Sequence, residues 1–393
     1  MTAHPLPVTV ISGLAGTGKR ALLDHLMASA GERRVALVQM TDDMPRAELI
    51  RLAEANQTDV IVIDAATTTE PMSIAESLLE DEDGQTLEDF VTIDTMVTIV
   101  EAASFLDELA RADGLHERGL AGDEDDRTLG ELLIEQVEFC DVLVIDSPET
   151  LDPTALERLR AVLSKINPRA EQVVAQPAHV EADTLLDTGR FDFEGAASAP
   201  GWLSALDHHD SSFTESTVSG AGVFVYRARR PFHPARFFAL LHQEWPGIVR
   251  SKGLFWLATR NDMAGTVSQV GGSCRHGPAG FWWVAQPAEE WPDDEAFKAE
   301  IAHDWFSSLD SHGHETVGDR RQELVMIGLD IDRDAWQHKL DACLLSEAEF
   351  ASGQQAWKLF EDPFPQWDED HDHEHGGEDD DSHGHGDHHD HPH

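Results

Sequence analysis

A glycine-rich stretch near the start of the chain has the composition and spacing of a phosphate-binding loop. In the segment TVISGLAGTGKRALLDHLM, the residues Gly13, Gly16, Thr17, Gly18 and Lys19 form a G-x-x-x-x-G-K pattern. In such loops backbone N–H groups at a helix N-terminus surround the phosphates of a nucleotide, and the lysine neutralises them. A β-rich run precedes this loop and a helical pattern follows it. We therefore predict phosphate binding here, with a plain strand–helix connector as the alternative.

The residue after the lysine changes the chemistry expected of the loop. The pattern ordinarily continues with Ser or Thr, whose hydroxyl binds Mg²⁺, but this chain has Arg20. A guanidinium cannot ligate Mg²⁺, and its charge would occupy space near the metal, although it could hold phosphates without one. The sequence predicts that GTP remains a candidate ligand, that Mg²⁺ is not held, and that hydrolysis is lost.

The end of the chain carries a second group of residues able to do chemistry. Imidazoles at adjacent or alternate positions can reach one tetrahedral ion together, and neutral imidazole suits Zn²⁺, Ni²⁺ and Cu²⁺. With almost no apolar residue after Trp367, this segment is predicted to be disordered and to bind Zn²⁺, whereas a solubilising terminus is the alternative. The predicted metal ligands are His371, His373, His375, His383, His385, His388, His389, His391 and His393.

The charge balance limits the partners of this chain. Its 75 Asp and Glu residues against 28 Lys and Arg give a net charge of −47. Such a surface repels phosphate backbones and attracts basic proteins and cations, so direct nucleic-acid binding is not expected. No membrane-length apolar stretch or signal-like start is present, which predicts no membrane association and a cytoplasmic location. The three scattered cysteines are predicted to be buried structural thiols.

The elements that must position these residues follow from the hydrophobic pattern. Over residues 1–195, short Val- and Ile-rich runs alternate with helical patterns, which predicts an α/β domain with a doubly wound parallel sheet, like that of P-loop NTPases. Helices are predicted over 20–30 and 87–92, and a solvated loop over 121–129. The runs predicted to be strands are 8–12, 33–40, 59–66, 95–103, 141–147 and 171–176.

The composition changes after this first domain. A Gly-, Ser- and His-rich linker is predicted over 196–216, and a smaller α+β domain with an aromatic core over 217–349. In that domain 222–232 is predicted to be a strand and 234–245 a helix. The His- and Asp-rich tail is predicted over 366–393.

Taken together, these motifs resemble those of the CobW-type GTPases and zinc metallochaperones, in which a GTPase domain precedes a CobW C-terminal domain. The resemblance covers nearly the whole chain. It rests on the motifs GLAGTGKRALLDHL, DVIVIDAATTTEP, EQVEFCDVLVIDSPETLDP, FVYRARRPFHPARFFALL, RSKGLFWLATR and GDRRQELVMIG. It implies a P-loop fold, binding of GTP and zinc, and a client metalloprotein.

The departures from the family pattern occur in the motifs that contact the nucleotide and the metal in the family. The family's Glu-x-x-Gly-x-x-Glu-Pro begins with Asp64 here, has Thr67 for the glycine, and retains Glu70. The resemblance implies that Asp64 and Glu70 belong to the nucleotide site, whereas a turn cap and a solvated helix-start carboxylate are the alternatives. The base-reading Asn-Lys-x-Asp is altered, so Ser147 replaces its lysine, and Glu149 could accept the base N–H donors. The family's Cys-x-Cys-Cys is absent from the sequence.

Three functions are weighed on these grounds. The first is a zinc-homeostasis protein that buffers or delivers metal with an impaired GTP site, its metal carried by the tail. The second is a non-catalytic adaptor that docks a basic partner, such as a ribosome-associated factor acting in ribosome hibernation under zinc limitation. The third is an active GTPase with divergent motifs.

The second domain contains charged residues that need an explanation. Side chains such as Arg320, Arg321 and Glu323 are rarely buried unless paired, so this domain is predicted to carry the partner-binding surface, with an internal ion pair of Arg320 or Arg321 as the alternative. A cluster formed by Arg227, Arg229 and Arg230 is predicted to pair with neighbouring carboxylates. His233 is predicted to cap or pack, and His312 and His314 to lie in an exposed loop.

Overall fold

The computed structural model describes residues 5–14, 16–41, 44–79, 81–82, 85–176, 179–198, 201, 214–215, 219–309 and 315–367. The nine tail histidines lie outside the described residues, as do His312 and His314. Most of the predicted linker also lies outside them.

A parallel sheet of six strands forms the centre of the first domain. Its strands are β1 (Leu6–Gly13), β2 (Val35–Gln39), β3 (Val60–Asp64), β6 (Val91–Glu101), β7 (Val142–Asp146) and β8 (Glu171–Val174), while β4 (Asp81–Glu82) and β5 (Gln85–Thr86) pair separately. The strand order is β2-β3-β1-β6-β7-β8. Every residue of β7 is buried, as a Val- and Ile-rich run covered on both faces requires. The predicted α/β architecture is confirmed.

The helices of this domain begin where the sequence supplies caps. Asp152 accepts hydrogen bonds from two N–H groups of a helix whose first residue is Pro153. Thr128 and Glu131 form a reciprocal capping box. The helices of the first domain are α1 (Lys19–Ser29), α2 (Arg46–Ala55), α3 (Pro71–Leu79), α4 (Phe105–Ala110), α5 (Leu129–Phe139), α6 (Pro153–Ile166) and α7 (Phe193–Ser198).

The helix predicted over 87–92 is wrong. Leu87–Asp89 forms only a single 3-10 turn, and β6 begins at Val91. Val91 and Ile93 are buried while Thr92 between them is exposed, which is the alternation of a strand. Pairing of Val91 with Leu6 of β1 therefore overrides the helical pattern of this short segment.

An antiparallel sheet of six strands forms the second domain. Its strands are β9 (Thr214–Glu215), β10 (Ala221–Ala228), β11 (Ile248–Phe255), β12 (Met263–Val270), β13 (Ser273–Phe281) and β14 (Gln322–Leu329). Their order is β13-β12-β11-β14-β10-β9. Helices accompany this sheet, so the predicted α+β class is confirmed. They are α8 (Pro234–Leu241), α9 (Glu295–Asp304), α10 (Arg333–Cys343), α11 (Glu347–Ala351) and α12 (Gln354–Trp357).

Aromatic side chains fill the core of the second domain. Tyr226, Phe232 and Phe237 are fully buried and stack in series, with ring centroids 6.2 and 4.3 Å apart. This packing continues beyond residue 349, because Phe364 is buried against Phe237. The folded body of the second domain therefore extends towards the last described residue.

Helix α5 joins the two sheets. Leu132 and Leu133 of this helix share one buried apolar cluster with Val270 and Ile327 of the second sheet. Apolar contact of this kind makes the two domains one packed unit at the junction.

Two ion pairs made by α5 cross the same junction. Glu138 accepts a 2.9 Å hydrogen bond from Nε of Arg250, and the side chains are only 10% and 4% exposed. Glu131 accepts a 2.7 Å bond from Arg275.

None of the helices in the described part of the chain has the length and apolarity needed to span a bilayer.

Candidate functional site

The glycine-rich loop contains backbone conformations that favour glycine. Gly16 and Gly18 have φ values of 96° and 73°, which side chains other than glycine rarely adopt, and Gly18 caps the start of α1. A Cβ added at Gly13 would lie 2.8 Å from the carbonyl oxygen of Ile99. Thr17 is buried, and its hydroxyl donates to the carbonyl of Leu14 at 2.6 Å, which closes the loop on itself.

Lys19 lies where the loop meets the neighbouring strand. Its Nζ is 2.8 Å from Oδ1 of Asp64 and donates to the carbonyl oxygen of Ala65 at 2.7 Å. Asp64 is the last residue of β3, whose partner in β1 is Ile11, so loop and carboxylate share the carboxyl edge of the sheet. Ligands of open parallel sheets bind at that edge. The structure thus brings together two of the predicted site residues, Lys19 and Asp64.

Arg20 does not occupy the loop. Its guanidinium pairs with Asp24 one helical turn away, at 3.1 Å, and its side chain is 74% exposed. The prediction that this charge fills the space near a metal is wrong for this arrangement, because the second residue of α1 directs its side chain to solvent. The loop and Lys19 suit phosphate groups. The expected Mg²⁺ ligands do not fit, because position 20 offers no oxygen and Asp64 is engaged by Lys19.

The segment after β3 is held by side chains from α5 and the loop before it. Arg127 forms an ion pair with Glu70 and donates to the carbonyl of Thr68 at 3.2 Å. Fully buried Gln136 donates to the carbonyl of Thr67 at 3.0 Å. Glu70 is therefore not merely a solvated carboxylate. Arg127 belongs to the loop over 121–129 that was predicted to be solvated, but its side chain is only 24% exposed.

The residues expected to read a base lie at the end of β7. Ser147 has a left-handed backbone with φ 51°, and its N–H donates to Oδ1 of Asp146 at 2.6 Å. Glu149 follows in a short 3-10 turn, where its Oε1 accepts a 3.0 Å bond from Gln176. The phosphate loop follows β1 and the segment with Glu149 follows β7, and these strands are parallel in one sheet with β6 between them. Glu149 therefore lies at the same edge of the sheet as the phosphate loop.

Sequence reasoning missed Glu135 on α5. Burial, reinforced by the negative charge of Glu70, raises the pKa of Glu135 to about 7, against the opposing effect of Arg127. Its position three residues before Glu138 on a helix with buried faces was the available signal. Gln136 and Arg127 were missed as well, because their partners are more than fifty residues away in the chain.

The raised pKa predicts how Glu135 affects stability. The folded protein binds the proton of Glu135 more tightly than the unfolded chain does. The stability that the protonated carboxyl contributes is therefore fully present below about pH 4.5 and is lost as the pH rises through about 7. Relative to the parent protein, Glu135→Gln is expected to add about 2 kcal/mol to the free energy of unfolding near pH 8. Urea denaturation of parent and variant at pH 4.5 and at pH 8 measures this difference in unfolding free energy. Glu54→Gln, at an exposed position of α2, is the control. An equal gain at both pH values would contradict the prediction.

The charged residues of the second domain are mostly internal contacts. Arg320 is 3% exposed and its Nε donates to the carbonyl of Asn261 at 2.5 Å, so it is not a docking residue. Glu323 accepts bonds from both Arg227 and Arg321, each 2.8 Å long. Pairing with a carboxylate is thus confirmed for Arg227.

The remaining side chains singled out in the sequence have structural roles. The ring of His233 stacks on Phe360 with centroids 4.8 Å apart, which confirms packing. Cys140 and Cys343 are buried as predicted, and Cys274 is half-buried. Burial raises the pKa of each thiol to about 12, which suits structural rather than reactive cysteines.

Comparison with known proteins gives a consistent result for both domains. Residues 39–174 match the model of the CobW/HypB/UreG nucleotide-binding domain, and this match begins after the glycine-rich loop of the chain. Residues 221–344 match the cobalamin synthesis protein cobW C-terminal domain. Zinc-regulated GTPase metalloprotein activator 1 of Dictyostelium discoideum is 29% identical over 416 residues, which cover 93% of this chain and 85% of that protein.

Two further proteins resemble the chain more distantly. A zinc chaperone of Mycobacterium tuberculosis, Rv0106, is 28% identical over 280 residues, which cover 71% of this chain and 63% of that protein. The YjiA GTPase from E. coli, known from a Zn(II)-bound crystal structure, is 15% identical in sequence. Its alignment with this chain has a TM-score of 0.36 and covers 87% of this chain and all of that one. On the two domain matches and their order, this chain belongs to the CobW family.

Proposed function

We propose that this protein buffers or delivers zinc, with a nucleotide site that binds GTP but hydrolyses it poorly. Two relatives carry the names zinc-regulated GTPase metalloprotein activator and zinc chaperone, which supports the zinc role. The client is then a metalloprotein that docks on the second domain.

One observation at the loop carries the nucleotide part of this proposal. The phosphate-facing parts are present, namely the three glycines and Lys19, while the side chain at position 20 is an exposed guanidinium paired with Asp24. Backbone N–H groups and a lysine bind phosphates without a metal. Hydrolysis in P-loop enzymes needs Mg²⁺ held by the hydroxyl at this position and by a carboxylate. Binding and turnover are therefore separable in this chain.

The assignments within the site are part of the proposal. Gly13, Gly16, Thr17, Gly18 and Lys19 would surround the phosphates. Glu149 would accept the N–H donors of guanine, and release of its bond to Gln176 would free the carboxylate. Asp64 and Glu70 would respond to the terminal phosphate through their contacts with Lys19 and Arg127.

We assign the zinc cargo to the histidines of the tail. Within the described residues no group of three or more His, Cys, Asp or Glu side chains could hold a metal ion. The nine imidazoles between His371 and His393, interleaved with carboxylates, supply enough ligands for a tetrahedral ion.

Removal of residues 368–393 tests the cargo assignment. Most Zn²⁺ binding should disappear while the melting temperature of the folded body is nearly unchanged, because a segment with almost no apolar residues adds little to a packed core. In the full chain, binding should weaken as the pH falls through about 6.5, where imidazoles protonate. Isothermal titration with Zn²⁺ and thermal melts of both chains measure this. Stoichiometric tight zinc in the shortened chain would contradict the assignment.

GTP turnover of the purified full chain tests the nucleotide part of the proposal. A fluorescent GTP analogue should bind with little dependence on Mg²⁺, and phosphate release should be negligible. Sustained Mg²⁺-dependent release that is lost in Lys19→Ala would show instead that the protein is an active GTPase.

A further inference from the structure

A group of aromatic side chains lies outside the buried cores of the second domain. Four rings contact one another in series, with centroids 5.5 Å apart for Trp283 and Phe297, 6.3 Å for Trp283 and Trp291, and 5.8 Å for Trp291 and Trp305. Each of the four side chains is half-buried. Within the described part of the chain, none of them belongs to a buried apolar cluster. We call these four rings the aromatic platform.

Exposed apolar side chains extend the aromatic platform along the chain. Phe306, which directly follows Trp305, is 49% exposed, and Leu309 is 64% exposed. The N–H of Phe306 donates to the carbonyl of Gly318 at 2.8 Å, so the backbone that carries this ring is held in place. Helix α9, which contributes one of the four rings, has a single buried residue, Ile301. Apolar surface that the fold leaves uncovered, rich in Trp and Phe, is typical of an interface with another protein.

The segment that carries the aromatic platform is strongly acidic. Between residues 281 and 309 the chain has seven Asp and Glu residues and one cation, Lys298. Nζ of Lys298 already lies 3.5 Å from a carboxylate oxygen of Glu295. Asp304 pairs with Arg321 at 3.2 Å. The exposed carboxylates of this segment that form no ion pair with any described residue are Glu289, Glu290 and Glu300.

Exposed rings beside carboxylates are complementary to lysine and arginine side chains. The face of an aromatic ring attracts a cation, and tryptophan does so most strongly. Carboxylates form charge-assisted hydrogen bonds with the same cationic groups. The aliphatic stems of lysine and arginine can cover apolar surface while their charged ends stay in water. An acidic segment would be repelled from this surface, so charge complementarity favours a basic one.

The chain itself does not offer such a segment. The stretches outside the described residues, which include the tail 368–393 and the linker residues 202–213, contain no lysine or arginine. A second copy of the chain carries a net charge of −47 and is repelled by the first. The occupant that fits the platform is therefore a different protein.

We propose that the aromatic platform docks a lysine- or arginine-rich segment of the client protein that also carries apolar residues. This inference rests on the proposed function only for the existence of a client. The apolar residues of the segment would contact Phe306 and Leu309. Its cations would lie on the ring faces and pair with Glu289, Glu290 and Glu300. The partner chemistry agrees with the basic partner expected from the net charge, and the exposed rings add a requirement for apolar residues that net charge alone does not impose.

Fluorescence anisotropy on the full chain with three labelled peptides of equal length tests the proposal. The first alternates arginine and leucine, the second arginine and serine, and the third glutamate and leucine. At physiological ionic strength the arginine–leucine peptide should bind about tenfold or more tightly than the arginine–serine peptide, and the glutamate–leucine peptide should not bind. Raised salt should weaken binding. Equal affinity for the two arginine peptides would show attraction to charge in general and would overturn the proposal.

Substitution of the exposed apolar residues locates the binding site. Phe306→Ser/Leu309→Ser should weaken binding of the arginine–leucine peptide by about tenfold or more and remove its advantage over the arginine–serine peptide. Met27→Ser, at a position of α1 that is 41% exposed, is the matched control and should leave binding unchanged. Thermal melts show whether each variant is folded, and if the double variant unfolds, Leu309→Ser alone serves as the test. Parent-like affinity in the folded variant would rule out this site.

A second set of variants tests the carboxylates. Glu289→Gln/Glu290→Gln/Glu300→Gln should weaken binding of both arginine peptides by about fivefold or more, because three unpaired charges beside the rings are lost. The control removes three exposed carboxylates of the first domain and should leave binding unchanged. Its substitutions are Glu32→Gln, Glu54→Gln and Glu157→Gln. Equal losses in the two triple variants would mean that the peptides respond to net charge and not to the platform.

The chain shortened by removal of residues 368–393 separates the platform from the acidic tail. If the arginine–leucine peptide loses about tenfold or more of its affinity in the shortened chain, the tail binds it and the proposal is overturned. A smaller change supports the platform. None of these measurements requires nucleotide or zinc, so their failure leaves the zinc and GTP tests of the proposed function intact.

Discussion

Replacing Arg250 by methionine is expected to lower the free energy of unfolding by about 3–5 kcal/mol, because it leaves a buried charge without its partner. Arg250 of β11 is 4% exposed at its side chain and donates to Glu138 of α5 at 2.9 Å. It also donates to Ser268 at 2.7 Å, a bond that methionine cannot replace. Urea denaturation of parent and variant measures the difference.

The control for this prediction is an exposed ion pair at the same junction. Arg158 of α6 pairs with Asp330 at 2.6 Å, and these side chains are 32% and 66% exposed. Arg158→Met should cost less than about 1 kcal/mol, because water solvates the remaining carboxylate. Replacing both Glu138 and Arg250 by apolar residues should recover much of the loss. Equal losses in the two methionine variants would mean that burial does not govern this junction.

Lys19→Ala is expected to weaken GTP binding by about a hundredfold or more, since it removes the only loop side chain placed to neutralise phosphates. It also frees Asp64, with which Nζ of Lys19 pairs at 2.8 Å, and an unpaired carboxylate beside the phosphates adds repulsion. Equilibrium titration with a fluorescent GTP analogue measures the effect.

Substitution at the next position supplies the matched comparison. Arg20 pairs with Asp24 on the outer side of α1, so Arg20→Ala should leave metal-free nucleotide binding nearly unchanged. Arg20→Thr should introduce Mg²⁺ dependence if the rest of the site accepts the metal. A large loss in Arg20→Ala would show that this guanidinium turns inward to hold phosphates.

Local patterns were enough to predict the six strands of the parallel sheet and the glycine-rich loop. Continuous runs of Val and Ile predict strands buried on both faces, and β1, β3 and β7 lie within about two residues of the predicted runs. The loop glycines were predictable because positive φ angles in a tight strand–helix turn require them. The one wrong helix, over 87–92, fell on a short segment where pairing with β1 outweighed local pattern.

Residue types alone therefore determined the α/β and α+β classes, and they are the basis for predicting phosphate binding at the loop and metal binding by the tail histidines. Only the tertiary structure decided that Arg20 faces solvent, that Arg127 and Gln136 hold the segment after β3, and that Arg320 is internal. The physical reason is that propensity and periodicity act between near neighbours in sequence. The partners of a charged side chain are set by elements far apart in the chain, and its burial follows from how those elements pack.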